Sequence, residues 1–339
     1  MNDESLLTLT ENGLCCRDGN FYIDPWKPVN HAVVTHAHGD HYAYGCKSYL
    51  VAETGEKIFR KRLGPDASIR TLAYGEPLTV NSVKVSLHPA GHILGSAQIR
   101  LERNGYVEVI SGDYKLEDDG TCTPFELVRC NHFITEATFG LPIFRWQGQQ
   151  AVFDQINSWW RGNAAEGKAS LMYCYALGKS QRIIMGVDHS IGPIYTHGSV
   201  EMLNIAYRDS GVPLPQTTYA MQGNKSDFRQ ALIVAPLSTR GTGWVRRFGE
   251  HSTGYASGWM RIRGTRRRQA VDRGFVLSDH ADWDGLYSTV KATGAERIGV
   301  THGYVQEYTR WLREQGLDAY ELKTLFGEES DDSGEVAEA

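Results

Sequence analysis

Three histidines and an aspartate fall within the stretch His36-Ala37-His38-Gly39-Asp40-His41, directly after the apolar run Ala32-Val33-Val34. Imidazole nitrogens and carboxylate oxygens are the donors that hold divalent transition metals. On an extended backbone, side chains two apart share a face, so His36 and His38 can meet one ion. Gly39 permits a bend, after which Asp40 and His41 can serve a second ion. The spacing predicts a metal loop at the end of a strand.

More donors follow at comparable places. His92 closes His88-Pro89-Ala90-Gly91-His92, Asp113 closes Ser111-Gly112-Asp113, and His302 lies in Thr301-His302-Gly303. Hydrolysis on two metals needs a bridging ligand, about three further ligands for each ion, and a proton source for the leaving group. His36, His38 and His92 would hold one ion, and Asp40, His41 and His302 the other. Asp113 would bridge them. The expected cofactors are two divalent ions, Zn²⁺ or Mn²⁺, between which the donor types do not choose.

These donors need strand ends to carry them. Val83 to Leu87 alternates as a half-buried strand should and leads to His92. Tyr106 to Ile110 delivers Asp113, Phe133-Ile134-Thr135 delivers Glu136, and Ile298-Gly299-Val300 delivers His302. Repeated strands ending in loops with His, Asp or Glu describe a β-rich scaffold with its chemistry along one edge. From about Ala151 the pattern changes to alternating helices and strands, as in a parallel α/β unit. We expect segments at 1–145, 146–268, 269–326 and 327–339, the last a disordered acidic tail.

Bulk properties set outer limits. The chain has 339 residues, with 41% hydrophobic and 22% charged residues, ordinary for a soluble globular protein. No signal-peptide pattern or membrane-length apolar run is evident, so the expectation is a cytoplasmic protein without a membrane partner. The six cysteines show no C-x-x-C pair and read as reduced thiols. The net charge of -5 is uneven: residues 327–339 hold six acids and no base, leaving +1 for the rest. Overall charge therefore speaks neither for nor against a polyanionic substrate.

The ordered motifs resemble the metallo-β-lactamase superfamily in its β-CASP branch of nucleic-acid-processing nucleases. His36 to His41 is similar to the superfamily's first motif, with His92 and Asp113 where the next two fall. Thr135-Glu136-Ala137-Thr138-Phe139-Gly140, Ser278-Asp279-His280-Ala281-Asp282 and Thr301-His302-Gly303 resemble the branch's private motifs. Ala256-Ser257-Gly258-Trp259-Met260 and the compact length resemble the bacterial ligase-associated DNA exonucleases. The likeness runs from about Thr8 to Phe326. It implies a metallo-β-lactamase αββα sandwich with an inserted parallel α/β β-CASP domain.

The resemblance also implies roles. A hydroxide held between the ions would attack the phosphodiester, with Asp40, Glu136 and His280 as catalytic residues and His280, paired with Glu136, as general acid. A carboxylate beside imidazole raises its pKa and fixes its tautomer. Asp282 precedes a helical run and suits its N-cap. The implied partner is DNA, single-stranded or at an end, with a lean towards 5′ ends and a place in repair beside a ligase and a helicase. An RNA-processing nuclease and a small-molecule hydrolase of lactonase or thioesterase type are the alternatives.

For the polymer, Leu177-Gly178-Lys179-Ser180-Gln181 opens a helix whose N–H groups would welcome phosphate. Tyr173 stands where a P-loop needs its first glycine, so nucleotide triphosphate hydrolysis is excluded. The segment instead resembles the family's Gly-Arg-x-Gln loop, with Lys179 in place of Arg. Lys179, Ser180 and Gln181, with Arg266, Arg267 and Arg268, are the expected nucleic-acid contacts, and Trp259 or Tyr175 could stack a base.

Overall fold

The structure, a computed structural model, describes residues 5–323. The expected acidic segment 327–339 lies outside the described residues. The chain divides into two compact units. The first comprises residues up to Asp118, then Cys122–Arg145, and resumes at His280; the second comprises Asp119–Thr121 and Trp146–Asp279.

The first unit opens with β1 (Leu7–Thr10), β2 (Gly13–Cys16), β3 (Phe21–Ile23), β4 (His31–Val33), β5 (Ser48–Ala52), α1 (Glu56–Leu63) and β6 (Ile69–Leu72). Those strands pair in chain order as one sheet. Next come β7 (Leu78–Val80), β8 (Val83–Pro89), β9 (Ala97–Arg103), β10 (Tyr106–Ile110) and β11 (His132–Ala137). The second unit then runs α2 (Gln149–Ala165), β12 (Ala169–Tyr173), α3 (Lys179–Gly186), β13 (Ile194–Thr196), α4 (Gly198–Asp209), β14 (Thr218–Tyr219), β15 (Leu232–Ala235), β16 (His251–Ala256), α5 (Arg263–Gln269) and β17 (Arg273–Phe275). The return adds α6 (Trp283–Thr293), β18 (Arg297–Gly303), α7 (Val305–Glu314) and β19 (Asp318–Glu321).

The second sheet of the first unit has the order β19-β18-β11-β10-β9-β8-β7. One apolar core joins the two sheets, with Phe21, Ile23 and Leu50 of the first meeting Leu87, Ile99 and Ile134 of the second. A further cluster on the second sheet sets Phe133, Ile298 and Val300 against Leu286 and Val290 of α6 and Tyr308 and Leu312 of α7. Burying each such side chain contributes about 1.5–3 kcal/mol. The result is an α/β sandwich. β11, covered on both faces, is buried along its whole length, which is why its sequence shows no alternation.

The second unit is the expected parallel α/β fold. Its sheet has the order β14-β13-β15-β12-β16-β17, and every pairing in it is parallel. One expectation is corrected. The return to the first unit comes at His280 rather than at residue 269. β17 pairs with β16, Gly254 opposite Arg273 and Ala256 opposite Phe275, so the residues after the arginine run still belong to the inserted sheet.

Strand direction explains why the donors can meet. β10, β11 and β18 are mutually parallel neighbours. β9 runs against both β8 and β10, so β8 points the same way as β10. The chain therefore leaves β8, β10, β11 and β18 at one edge, and His92, Asp113, Glu136 and His302 all follow or end those strands. Catalytic groups gather at such carboxyl edges because the loops there are free to vary on a fixed frame.

Candidate metal centre

The first sheet supplies its own donors from the loop after β4. Ala97 donates its N–H to the Thr35 carbonyl at 2.8 Å, fastening the start of β9 to this loop. His36 Nε2 and His92 Nε2 each lie 3.1 Å from His38 Nδ1. Asp113 Oδ2 is 3.4 Å from His36 Nε2, 3.4 Å from His41 Nε2 and 3.7 Å from His92 Nε2. Donor atoms of His36, His38, His92 and Asp113 all fall within 4.8 Å of one another. Asp40 Oδ2 lies 3.8 Å from His41 Nε2, and the His302 ring stacks on His41 with centroids 5.0 Å apart. His36, His38, His41 and His92 therefore gather around Asp113, and Asp40 and His302 adjoin the cluster at His41.

Backbone geometry delivers two of them. Gly112 has φ +55°, and a Cβ there would stand 2.7 Å from the Thr35 Cβ, so only glycine lets Asp113 approach the metal loop. His302 sits in a bulge. Glu136 pairs with Thr301 and Ala137 with Gly303, leaving His302 without an opposite residue on β11. Its φ of 56° is rare for a residue with a side chain and re-aims the imidazole at the strand's end.

The donor set fits divalent ions. His41 Nε2 and Asp113 Oδ1 are buried and have no hydrogen-bond partner among the described residues. Buried polar atoms are rarely left so, and an ion between them satisfies both. Protonation states agree with that use. Burial, with the neighbouring His41, holds His36 well below the ordinary imidazole value; burial and His280 do the same to His92. Burial and His41 also lower His302. Burial would lower His41 too, but the carboxylates of Asp113, Asp40 and Asp24 outweigh it and hold His41 well above the ordinary value. Burial would raise Asp113, yet the His41 and His280 charges and the contacts to His36 and His41 hold it well below the carboxylate range. Asp113 is thus an anion, and His36, His92 and His302 are neutral imidazoles, the form in which imidazole can bind a metal.

Asp24 is the residue that sequence reasoning missed. It follows β3 and accepts from the Thr35 N–H at 2.8 Å, the Thr35 hydroxyl at 2.6 Å and His41 Nδ1 at 2.8 Å. That contact fixes the His41 tautomer with Nε2 turned to Asp113. The available signal was an acid at the end of a strand whose parallel neighbour carries the metal loop. It was legible only once that pairing was known.

A second constellation adjoins the first. Asp113, Glu136 and His280 also offer donor atoms within 4.8 Å of one another. Glu136 Oε2 accepts from His280 Nδ1 at 2.9 Å, and its Oε1 accepts from the Tyr114 N–H at 2.8 Å. The Ala281 N–H donates to the Tyr114 carbonyl at 2.6 Å, so His280 is held beside Asp113 through one short peptide segment. The His280 ring stands 4.7 Å from that of His92. Asp282 caps α6 by accepting from the Gly285 N–H at 2.8 Å.

The expected nucleic-acid contacts on α3 are corrected. Lys179, Ser180 and Gln181 are all buried. Lys179 Nζ lies 3.1 Å from Asp279 Oδ2, and Arg182, also buried, lies 3.3 Å from Asp279 Oδ1. The Ser180 hydroxyl donates to the Tyr175 carbonyl at 2.8 Å. Gln181 accepts from the Gly178 N–H at 2.7 Å and donates to Asn204 at 2.8 Å. The loop is committed to capping and interior ion pairs, so its polar groups are spent inside the second unit. Arg267 and Arg268 are exposed, and Arg266 lies with them in α5. Trp259 and Tyr175 are half-buried.

No family model matches the chain. Over 314 residues it is 30% identical to a protein named "Probable DNA ligase" from Opitutus terrae, covering 92% of this chain and 30% of that protein. Endoribonuclease ysh1 of Aspergillus fumigatus is 29% identical over 181 residues, which is 50% of this chain and 20% of the relative. Endoribonuclease YSH1 of Gibberella zeae is 30% identical over 186 residues, 52% of this chain and 22% of the relative. The chain thus spans under a third of the length of these relatives. A crystal structure of a protein of unknown function from Enterococcus faecalis shares the fold at TM-score 0.53 and 12% identity, covering 80% of this chain and 74% of that one.

Proposed function

We propose that the chain is a metal-dependent DNA exonuclease of the β-CASP branch of the metallo-β-lactamase superfamily. The single observation that carries the reading is the gathering of four histidines around Asp113, with Asp40 and His302 beside His41, adjoining the Glu136–His280 pair. Similarity along nearly the whole chain to a ligase-named protein, and along half of it to endoribonucleases, favours a nucleic-acid substrate. So does charge. Residues 146–279 hold sixteen basic and nine acidic residues, a net +7 within a chain of net -5.

His36, His38 and His92 would hold one ion, Asp40, His41 and His302 the other, and Asp113 both. Divalent ions held there supply Lewis acidity toward a phosphoryl oxygen and a water of lowered pKa. The chain's own groups do the rest. Glu136 fixes the His280 ring through Nδ1, leaving Nε2 as the atom that gives a proton to the departing oxygen. The Tyr114 N–H holds the other carboxylate oxygen, so Glu136 is fixed at both ends and orients His280. Arg267 and Arg268 offer exposed cations to the phosphate backbone.

A DNA preference over RNA follows the relative matched along most of the chain, whereas the endoribonuclease likeness covers half of it. Oligonucleotides labelled separately at each end, as DNA and as RNA, test this with Zn²⁺ and Mn²⁺ supplied one at a time. Progressive release of mononucleotides from a DNA end is expected. Internal cuts in RNA alone would replace the reading with an endoribonuclease. His280→Ala should keep its metals and lose about 10²–10⁴-fold in turnover; a variant that cleaves normally would remove His280 as the acid.

A further inference from the structure

The metal loop continues into two tyrosines that nothing above uses. Tyr42 is buried, whereas Tyr44 is 61% exposed. Their hydroxyls are 3.2 Å apart, and the rings meet edge to face with centroids at 5.3 Å. Tyr42 in turn packs against Phe59 of α1 at 6.2 Å and accepts from Arg62 Nε at 3.3 Å. The Arg62 Nη2 lies 3.6 Å from the point a Cβ on Gly39 would occupy, so its guanidinium runs alongside the metal loop. An exposed aromatic ring is ordinary when it stands alone. Here the ring is propped by a buried partner, and the guanidinium bonded to that partner runs beside the same loop.

Distance ties the pair to the reaction. Three trans peptide links separate Tyr44 from His41, so their Cα atoms are within about 11 Å. That separation is on the scale of about one to two nucleotides, so the neighbour of a phosphate bound at the metal loop is the nucleotide an exposed Tyr44 ring could meet.

Resting on the nuclease reading, we infer that Tyr44 is a base-stacking platform for the nucleotide adjoining the scissile phosphate, with Arg62 meeting that nucleotide's phosphate. An aromatic face accepts any base, which suits an exonuclease that must accept each new end in turn. Because Tyr42 and Arg62 already hold the platform, little ordering is left for the substrate to bring about.

The test uses metal-loaded full-length protein and DNA oligonucleotides whose end nucleotides either carry a base or are abasic. Tyr44→Ala should raise KM about 5- to 150-fold on base-bearing ends, the range for losing one stacked base. It should also narrow the wild-type preference for base-bearing over abasic ends to within about twofold. Tyr44→Phe should restore most of both. In parallel, 2-aminopurine near the end of a phosphorothioate-protected strand should be quenched by wild type and by Tyr44→Phe, and not by Tyr44→Ala. Equal quenching by Tyr44→Ala, or an equal KM change on abasic ends, overturns the inference while leaving the nuclease reading intact. Wild-type protein that cleaves no oligonucleotide overturns that reading and this one with it.

Discussion

Asp24→Asn isolates what the hidden carboxylate does. Asp24 accepts three hydrogen bonds, two from Thr35 at 2.8 and 2.6 Å and one from His41 Nδ1 at 2.8 Å. Asparagine keeps one acceptor oxygen, which can still serve the Thr35 N–H. Its NH₂ then replaces the oxygen that faces both the Thr35 hydroxyl and His41 Nδ1. The hydroxyl can rotate to accept, so Thr35 adapts. His41 Nδ1 can accept only if its proton moves to Nε2, the buried atom 3.4 Å from Asp113 and otherwise without a hydrogen-bond partner. A proton there occupies the lone pair that a metal needs. Loss of such an orienting partner costs about 10–100-fold in metal affinity, or about 1.4–2.8 kcal/mol. The rearranged hydrogen bonds should cost only about 1 kcal/mol of folding stability. Competition with a chromophoric chelator reads the affinity and stoichiometry of Zn²⁺ or Mn²⁺, and long-range ¹H–¹⁵N NMR reads the tautomer. Two ions bound at wild-type affinity, with Nδ1 still protonated, would refute the reasoning.

Metal uptake should be linked to protons, with a sign set by His41. Its pKa is held well above the ordinary value once Asp113, Asp40 and Asp24 outweigh burial, so the metal-free ring carries a proton near neutral pH. A metal must displace that proton, and affinity should weaken as pH falls through His41's raised pKa; titrating metal into weakly buffered protein with a pH indicator reads the release, and its absence near neutrality would contradict the assignment. Asp279→Ala should destabilise the second unit by about 3–5 kcal/mol, because it takes from buried Lys179 the carboxylate 3.1 Å away and leaves Arg182 with Asp119 alone of its two carboxylate partners at 3.3 and 3.5 Å. Thermal melting followed by far-UV dichroism checks this, and an unshifted transition would mean the ion pairs are not needed.

The sequence by itself determined the chemistry. Three histidines and an aspartate within six positions mark a candidate metal loop, because a few peptide units keep those donors close to one another. Strand ends carrying Asp113, Glu136 and His302 were readable too, since apolar runs stop where the donors begin. Tertiary structure decided what depended on pairing between distant segments. Asp24 became a partner of His41 only through the parallel register of β3 and β4. His302 gained its orientation from a slip in register against β11, which no local propensity encodes. Lys179 and Gln181 look like surface phosphate ligands in the chain, yet Asp279, one hundred residues further on, draws the lysine inward, and Asn204 holds the glutamine. Local spacing fixes which atoms can act, whereas long-range register fixes which of them face one another.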